Sequence, residues 1–286
     1  EVIFHVEIPE GTPTGQQIYL NILDEVTGLA LNPLRYAMEM DDFTHFSIGI
    51  PVQVGSVIKY RYTREGSPQP VEYTTGGIQV RYRMFSVDGP STVEDKVCAW
   101  NDLYYQGTLG RIVGRVTNSA NNLGVPNILI TAAGTESVSD SDGNFILEDL
   151  PTGVHEVVAY SMDGSYKVYQ QGAVIANLST TPVDIRLTPA ELVEVTFVVH
   201  PPEGNLAGIP IRMVGNITSL GNTFADLDGG MSIVASRAPL LSLAEDNIYI
   251  LKMMLPVGLD LRYKYTLGDG FWNAEHSADI NFNLRQ

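Results

Sequence analysis

The sequence is nearly without cysteine: Cys98 is the single one in 286 residues. No internal disulfide can form, so any core must hold by packing, and the redox compartment is left open. Basic residues are also scarce, 17 Lys and Arg against 33 Asp and Glu, for a formal net charge of −16. Nucleic acid demands a basic face, so nucleic-acid partners are excluded, and an anionic membrane surface is disfavoured. No apolar run reaches the roughly 18 residues of a spanning helix, so no membrane insertion of this segment is expected. Long amphipathic helix patterns are missing as well, while Gly, Pro, Asn, Asp, Ser and Thr recur throughout. The chain opens inside a strand pattern with no basic-then-apolar leader, as expected of a mature or excised segment.

Catalytic constellations are equally sparse. The five histidines (His5, His45, His155, His200 and His276) stand far apart, and none has a zinc-ligand spacing. No nucleophile elbow, phosphate-binding loop or dinucleotide fingerprint appears. Carboxylate pairs such as Asp41-Asp42 and Glu94-Asp95 are adjacent. On strands they point to opposite faces and cannot converge on one bond. Asp140-Ser141-Asp142-Gly143-Asn144 offers clustered oxygens, but it lacks the distal glutamate of a calcium loop, and a tight hairpin explains its glycine and asparagine. The expectation is a protein that is not an enzyme, with no cofactor and no metal.

What is present is a repeat. Val2-Ile3-Phe4-His5-Val6-Glu7-Ile8-Pro9-Glu10-Gly11 near the start is echoed by Val195-Thr196-Phe197-Val198-Val199-His200-Pro201-Pro202-Glu203-Gly204. Later in each copy stand Lys59-Tyr60-Arg61-Tyr62-Thr63 and Arg262-Tyr263-Lys264-Tyr265-Thr266. A module of roughly 90–100 residues is duplicated, with something different between the copies. Alternating apolar residues from Val2 to Ile8 read as a strand, and further strands fit 17–23, 45–50, 57–63, 79–87 and 92–100. Many short strands punctuated by glycine indicate β-sandwiches. Between the copies, strands fit 112–116, 127–132, 154–160 and 183–187, with a hairpin over 139–147. The fold class is therefore all-β, three tandem sandwiches, with domains at 1–103, 110–189 and 191–286.

The middle module resembles the carboxypeptidase regulatory-like domain, a transthyretin-like sandwich. The residues that carry this are Gly110, Val113, Gly114 and Val116, then Asp140, Gly143 and Phe145, then Leu150, Pro151 and Gly153. Such domains are accessory, so the resemblance implies spacing and bracing. The outer copies resemble the starch-binding-like sandwich of family-twenty carbohydrate-binding modules. Gly215-Asn216-Ile217-Thr218-Ser219-Leu220-Gly221, Pro256-Val257-Gly258, Tyr263-Lys264-Tyr265 and Phe271-Trp272-Asn273-Ala274-Glu275 carry it, with Thr223 where the family has tryptophan. The resemblance implies a sugar site with Trp272 as the stacking ring and Lys264, Asn273 and Glu275 as polar companions. In the first module Tyr73, Lys59 and Glu72 hold the equivalent places. Trp100 is expected to anchor a core or a domain junction.

Two functions follow from these readings. The first is a secreted or bacterial cell-surface protein that binds a polysaccharide or surface glycan through its outer modules. The alternative is a structural protein (stalk, adhesin or filament subunit) that self-associates through sandwich edges. The short link Leu187–Glu191 favours a semi-rigid array. Asn177-Leu178-Ser179 and Asn216-Ile217-Thr218 match the glycosylation acceptor pattern.

Overall fold

The structure is a computed structural model that describes residues 1–23, 34–201, 208–221, 237–244, 247–268 and 275. The protein is all-β, with no α-helix among the described residues. None of those residues forms a helix long and apolar enough to cross a membrane. The chain divides into two compact units. The first takes in Glu1–Leu23, Asn32–Ser161 and Tyr166–Pro189, and the second is built on Ala190–Gln286.

The first unit opens with β1 (Val2–Glu7), β2 (Ile18–Ile22), β3 (Leu34–Ala37), β4 (Glu39–Met40) and β5 (His45–Ile50). It continues with β6 (Val57–Arg64), β7 (Glu72–Tyr73), β8 (Arg83–Ser86), β9 (Ser91–Lys96) and β10 (Ala99–Trp100). One sheet runs β4-β5-β1-β9 and the facing sheet β3-β2-β6-β8, while β10 pairs with β7. Alternation places Val2, Phe4 and Val6 inward, where they meet Ile18, Leu20, Tyr60, Tyr62, Phe85 and Trp100 in one core. Trp100 is 1 % exposed, and its Nε1 donates to Thr12 Oγ1 at 3.0 Å. It is a core anchor, as expected.

The strand expected over 92–100 breaks into β9 and β10 at Val97-Cys98. The reason lies in β1, which ends before Pro9. The parallel pairing runs from Val2 with Ser91 to Glu7 with Lys96, and Val97 N–H closes it on the Glu7 carbonyl. Beyond that point β1 offers no further edge, because proline has no N–H, and β10 turns to β7. The strand expected over 79–87 shortens to β8. The short β3 and β4 had no pattern to announce them, since Leu34 and Met40 are exposed.

The same unit holds β11 (Leu109–Asn118), β12 (Ile128–Ala132), β13 (Thr135–Val138), β14 (Asn144–Pro151), β15 (Gly153–Ser161), β16 (Tyr169–Ile175) and β17 (Thr180–Leu187). The sheets are β14-β11-β17 and β13-β12-β15-β16, with β11 and β17 parallel. Ile112, Val116, Ile130, Phe145, Leu147, Val157 and Ile185 fill the space between them. The alternation of β11 corrects one sequence assignment, while the register shift opposite Gly110–Ile112 places its extra residue on β14. Ile112 is fully buried while Val113 is 37 % exposed, so Ile112, not Val113, holds the inward place after Gly110.

β12 and β15 are buried on both faces. Ile128, Ile130, Val157 and Ala159 face their own core, whereas Leu129, Val158 and Tyr160 are buried outside it. That second face meets β8 of the first sandwich, with Val80, Tyr82 and Met84 buried opposite. Val80 packs on Gly134, the Ser86 N–H donates to Gln170 Oε1 at 2.8 Å, and Thr75 Oγ1 donates to the Asp149 carbonyl. The two sandwiches share one continuous seam.

The second unit contains β18 (Leu192–Val199), β19 (Ile211–Gly215), β20 (Ser242–Leu243), β21 (Tyr249–Pro256) and β22 (Tyr263–Leu267). β18-β21-β20 and β19-β22 are its described sheets. Ile211, Met213, Leu220 and Leu255 are buried between them, with Phe197, Tyr263 and Tyr265 packed on that cluster.

Candidate functional site

Tyr60 and Tyr62 lie two apart on β6 and therefore share its inward face. Phe4 meets Tyr60 edge-on at 5.0 Å between ring centroids, and Tyr60 meets Tyr62 edge-on at 5.9 Å. The second unit builds the same stair: Phe197 to Tyr263 at 5.4 Å and Tyr263 to Tyr265 at 5.7 Å. In each copy a glutamate ten residues beyond the second tyrosine holds its backbone. Glu72 Oε1 accepts the Tyr62 N–H at 2.9 Å, and Glu275 Oε1 accepts the Tyr265 N–H at 3.1 Å. Glu275 also donates its own N–H to the Tyr265 carbonyl at 2.8 Å. The duplicated phrases thus encode a duplicated geometry, and the position that matches Lys264 is Arg61 rather than Lys59.

The six residues expected to contact sugar fall in different places. Trp272 and Asn273 lie outside the described residues. Glu275 acts on the β22 backbone, as above. Lys264 is buried, 3 % exposed. Tyr73 is half-buried on β7, paired with Ala99. Lys59 is 2 % exposed, and its ammonium stands 5.3 Å from the ring centroids of both Tyr82 and Tyr160. It sits in the seam between two sandwiches, where a cation between two aromatic faces is stabilised once desolvated. Lys59 and Tyr73 are not gathered on one open surface. The Gly215-Asn216 element of the sugar-module pattern is likewise internal. Asn216 is 2 % exposed, its Nδ2 donates to the Asp260 carbonyl at 2.7 Å, and its Oδ1 accepts the Arg262 N–H at 3.0 Å. It clamps the approach to β22 and is no acceptor for a glycan.

A cluster of charge lies behind the tyrosine stair of the first module. Arg83 is almost fully buried and donates Nε and Nη2 to Glu72 Oε2 at 3.0 Å each. Its Nη1 reaches Asp95 Oδ1 at 2.9 Å, and Nη2 also reaches the Lys96 carbonyl at 2.8 Å. Asp95 Oδ2 accepts both tyrosine hydroxyls, from Tyr60 at 2.8 Å and Tyr62 at 2.9 Å. Burial alone would raise the carboxyl of Glu72, and Arg83 opposes that rise. Burial and the Asp95 charge push both phenols well above their ordinary range. Both carboxylates and the guanidinium are partnered within the fold, so the cluster fixes β6, β7, β8 and β9 to one another. Nothing in the sequence spacing of Glu72, Arg83 and Asp95 announces it.

Asp140 shows how the calcium-like run is used. Its carboxylate accepts the N–H groups of Asp142 at 2.9 Å and Asn144 at 2.8 Å, and Gly143 takes φ +83°. Those backbone hydrogen bonds hold its carboxyl below the ordinary value. The oxygens close a turn.

His155 supplies a pH-dependent element. It is 2 % exposed, with Nε2 2.9 Å from the Pro151 carbonyl, and burial lowers its pKa from the ordinary 6.5. The folded value lies below the unfolded one. The stability it contributes is complete above about pH 6.5 and is lost as pH falls through the folded value. An NMR titration should place the His155 imidazole midpoint below that of free histidine. A midpoint at or above 6.5 would contradict the burial argument.

These features define an all-β protein of packed sandwiches with a locked seam. Residues 111–188 match the carboxypeptidase regulatory-like domain family, and this stretch of the chain is such a domain. No curated protein sequence matches the chain. Among solved structures it is similar to the Bacillus anthracis TIE protein, with 13 % identity and a TM-score of 0.26 over 99 % of this chain and 46 % of that one. The chain thus spans less than half of that protein's length. It is also similar to a Streptococcal ancillary pilin, with 10 % identity, TM-score 0.32, and coverage of 93 % and 89 %. A third is GBS52, the minor pilin of Streptococcus agalactiae, with 10 % identity, TM-score 0.27, and coverage of 71 % and 99 %.

Proposed function

We propose that this chain is a non-catalytic structural protein of a bacterial cell surface, in which the carboxypeptidase regulatory-like domain braces its neighbour. The observation that carries this is the seam. The residues that β8, β12 and β15 turn toward each other are spent on packing, with Lys59 held between Tyr82 and Tyr160. Neighbouring domains move relative to one another unless their interface is large and apolar, and this one buries apolar residues from both sides. The outer modules are read as starch-binding-like in fold, on the shared aromatic stair and the shared glutamate-to-backbone bond. Their part is architectural, and self-association belongs to this reading.

Lys59→Asp tests the brace, because it replaces the cation with a carboxylate between two ring faces and near Glu136. In calorimetry of the full chain, the first two domains should melt together, and Lys59→Asp should separate them into two transitions. Independent melting in the unaltered chain, or no change in the variant, would overturn the brace. Antibodies raised against the chain should label intact cells of its source. Labelling only after lysis would refute the surface assignment.

A further inference from the structure

Two clefts of the first unit differ in size and lining. The smaller, about 260 Å³, lies where residues 74–81 approach β13 and β14, and it falls below the roughly 300–1,000 Å³ of ordinary ligand pockets. The larger, about 440 Å³, lies within that range. It forms where the Pro9-Glu10-Gly11 turn faces Lys96–Cys98 and the returning segment Leu103–Gly107.

The floor of this larger cleft is apolar, made by Ile8, Val97 and the buried Cys98. Burial pushes the Cys98 thiol up to about 12, so it stays protonated and behaves as a small apolar group. The rim is polar. Lys96 Nζ meets Glu7 Oε1 at 2.7 Å, and both side chains remain partly exposed. Lysine has three ammonium protons and glutamate has two oxygens, so this pair keeps donors and an acceptor for a ligand. Glu10 is exposed beside it. Tyr104 lines the same cleft while 75 % exposed. Its neighbour Tyr105 is tied down, with its hydroxyl on the Thr108 carbonyl at 2.9 Å.

We propose that this cleft binds a neutral carbohydrate chain. A sugar presents an apolar ring face and a fringe of hydroxyls, which calls for an exposed aromatic ring beside carboxylate and ammonium groups. Tyr104 supplies the ring, and Glu7, Glu10 and Lys96 supply the polar contacts. Two carboxylates against one ammonium select against acidic glycans by like-charge repulsion. The site lies on the segment that joins the first sandwich to the carboxypeptidase regulatory-like domain. It does not use Trp272, and it does not depend on the structural role proposed above.

Affinity electrophoresis of the full chain through gels that contain glycogen, a β-1,3-glucan, mannan or galactan tests this. At least one gel should retard the chain. Tyr104→Ala should weaken that binding roughly tenfold, the loss of one good aromatic contact. Tyr104→Phe keeps the ring and should stay close to the parent, while Trp272→Ala should leave the retardation unchanged. Tyr104 is exposed, so an unaltered melting curve for Tyr104→Ala is expected and separates lost binding from lost fold. No retardation in any of the four gels overturns the proposal. So does retardation that survives Tyr104→Ala or disappears only with Trp272→Ala.

Discussion

Arg83→Met should lower the stability of the first unit by about 3–5 kcal/mol, the usual cost of removing one partner from a buried ion cluster. The guanidinium is the only cation bonded to Glu72 among the hydrogen bonds of the described residues, and it shares Asp95 with two tyrosine hydroxyls. Methionine fills the space but leaves Glu72 buried without the guanidinium that hydrogen-bonds it. Burial already raises the Glu72 carboxyl, and without Arg83 it raises it further, against the Tyr62 N–H that remains. A carboxyl whose folded pKa exceeds its unfolded value contributes fully at low pH and loses that contribution as pH rises through the folded pKa. The variant should therefore be weakest near pH 8 and recover toward pH 5. Glu72→Gln in the Arg83→Met background should restore part of the loss and flatten the pH dependence. Urea titrations at the two pH values decide this. A loss below 1 kcal/mol at pH 8 would show that the cluster contributes little.

Gly114→Ala should cost about 3 kcal/mol, the upper end for forcing volume into a packed interior. Gly114 pairs with Phe145 on one side and Val183 on the other. A methyl group there would overlap the Val183 carbonyl oxygen and press on the Phe145 ring. Backbone cannot yield as a flexible side chain does, so β17 would have to leave β11. Gly172→Ala on β16 is the control, since a methyl there meets nothing within 4 Å, and it should change stability by less than about 0.5 kcal/mol. Equal effects from the two substitutions would mean that β11 does not need the close approach.

How far the sequence carries depends on whether a feature is local. Val2, Phe4 and Val6 alternate within one strand, so their shared face was legible, as was that of Tyr60 and Tyr62. That the rings form an edge-on stair with Phe4 was not, because Phe4 lies on another strand. Asp140-Ser141-Asp142-Gly143 closes its turn through bonds that span four residues or fewer. The seam had a partial signal. Ile128-Leu129-Ile130 and Val157-Val158-Ala159-Tyr160 are unbroken apolar runs, which mark strands buried on both faces. The runs say that a second face is covered but not by what. Lys59 had no signal at all. A lysine in an alternating strand reads as solvent-facing, and Tyr160, which helps to cover it, stands far along the chain. The cleft beside Tyr104 depends on how Leu103–Gly107 returns against Pro9–Gly11, a path without periodicity. Past Gly110 the plain period of two already puts Ile112 and Val116 on one buried face and Val113 on the other. The extra residue of the register shift lies on β14, between Leu147 and Leu150, where no sequence pattern announced it.

The first strand of each sandwich in the first unit is completed by a parallel partner that comes late in the chain. Glu7 meets Lys96 across 89 residues, and Arg111 meets Thr180 across 69. A ribosome that releases the chain from its N-terminus therefore presents β1 with one edge bare until the residues of β9 have emerged. Long-range pairing of this kind is slow, because loop closure must precede the contacts that stabilise it. An unpaired strand edge is also a template for the wrong neighbour. During synthesis β1 stays exposed until β9 emerges, and correct assembly then rests on β9 reaching β1 before another chain does.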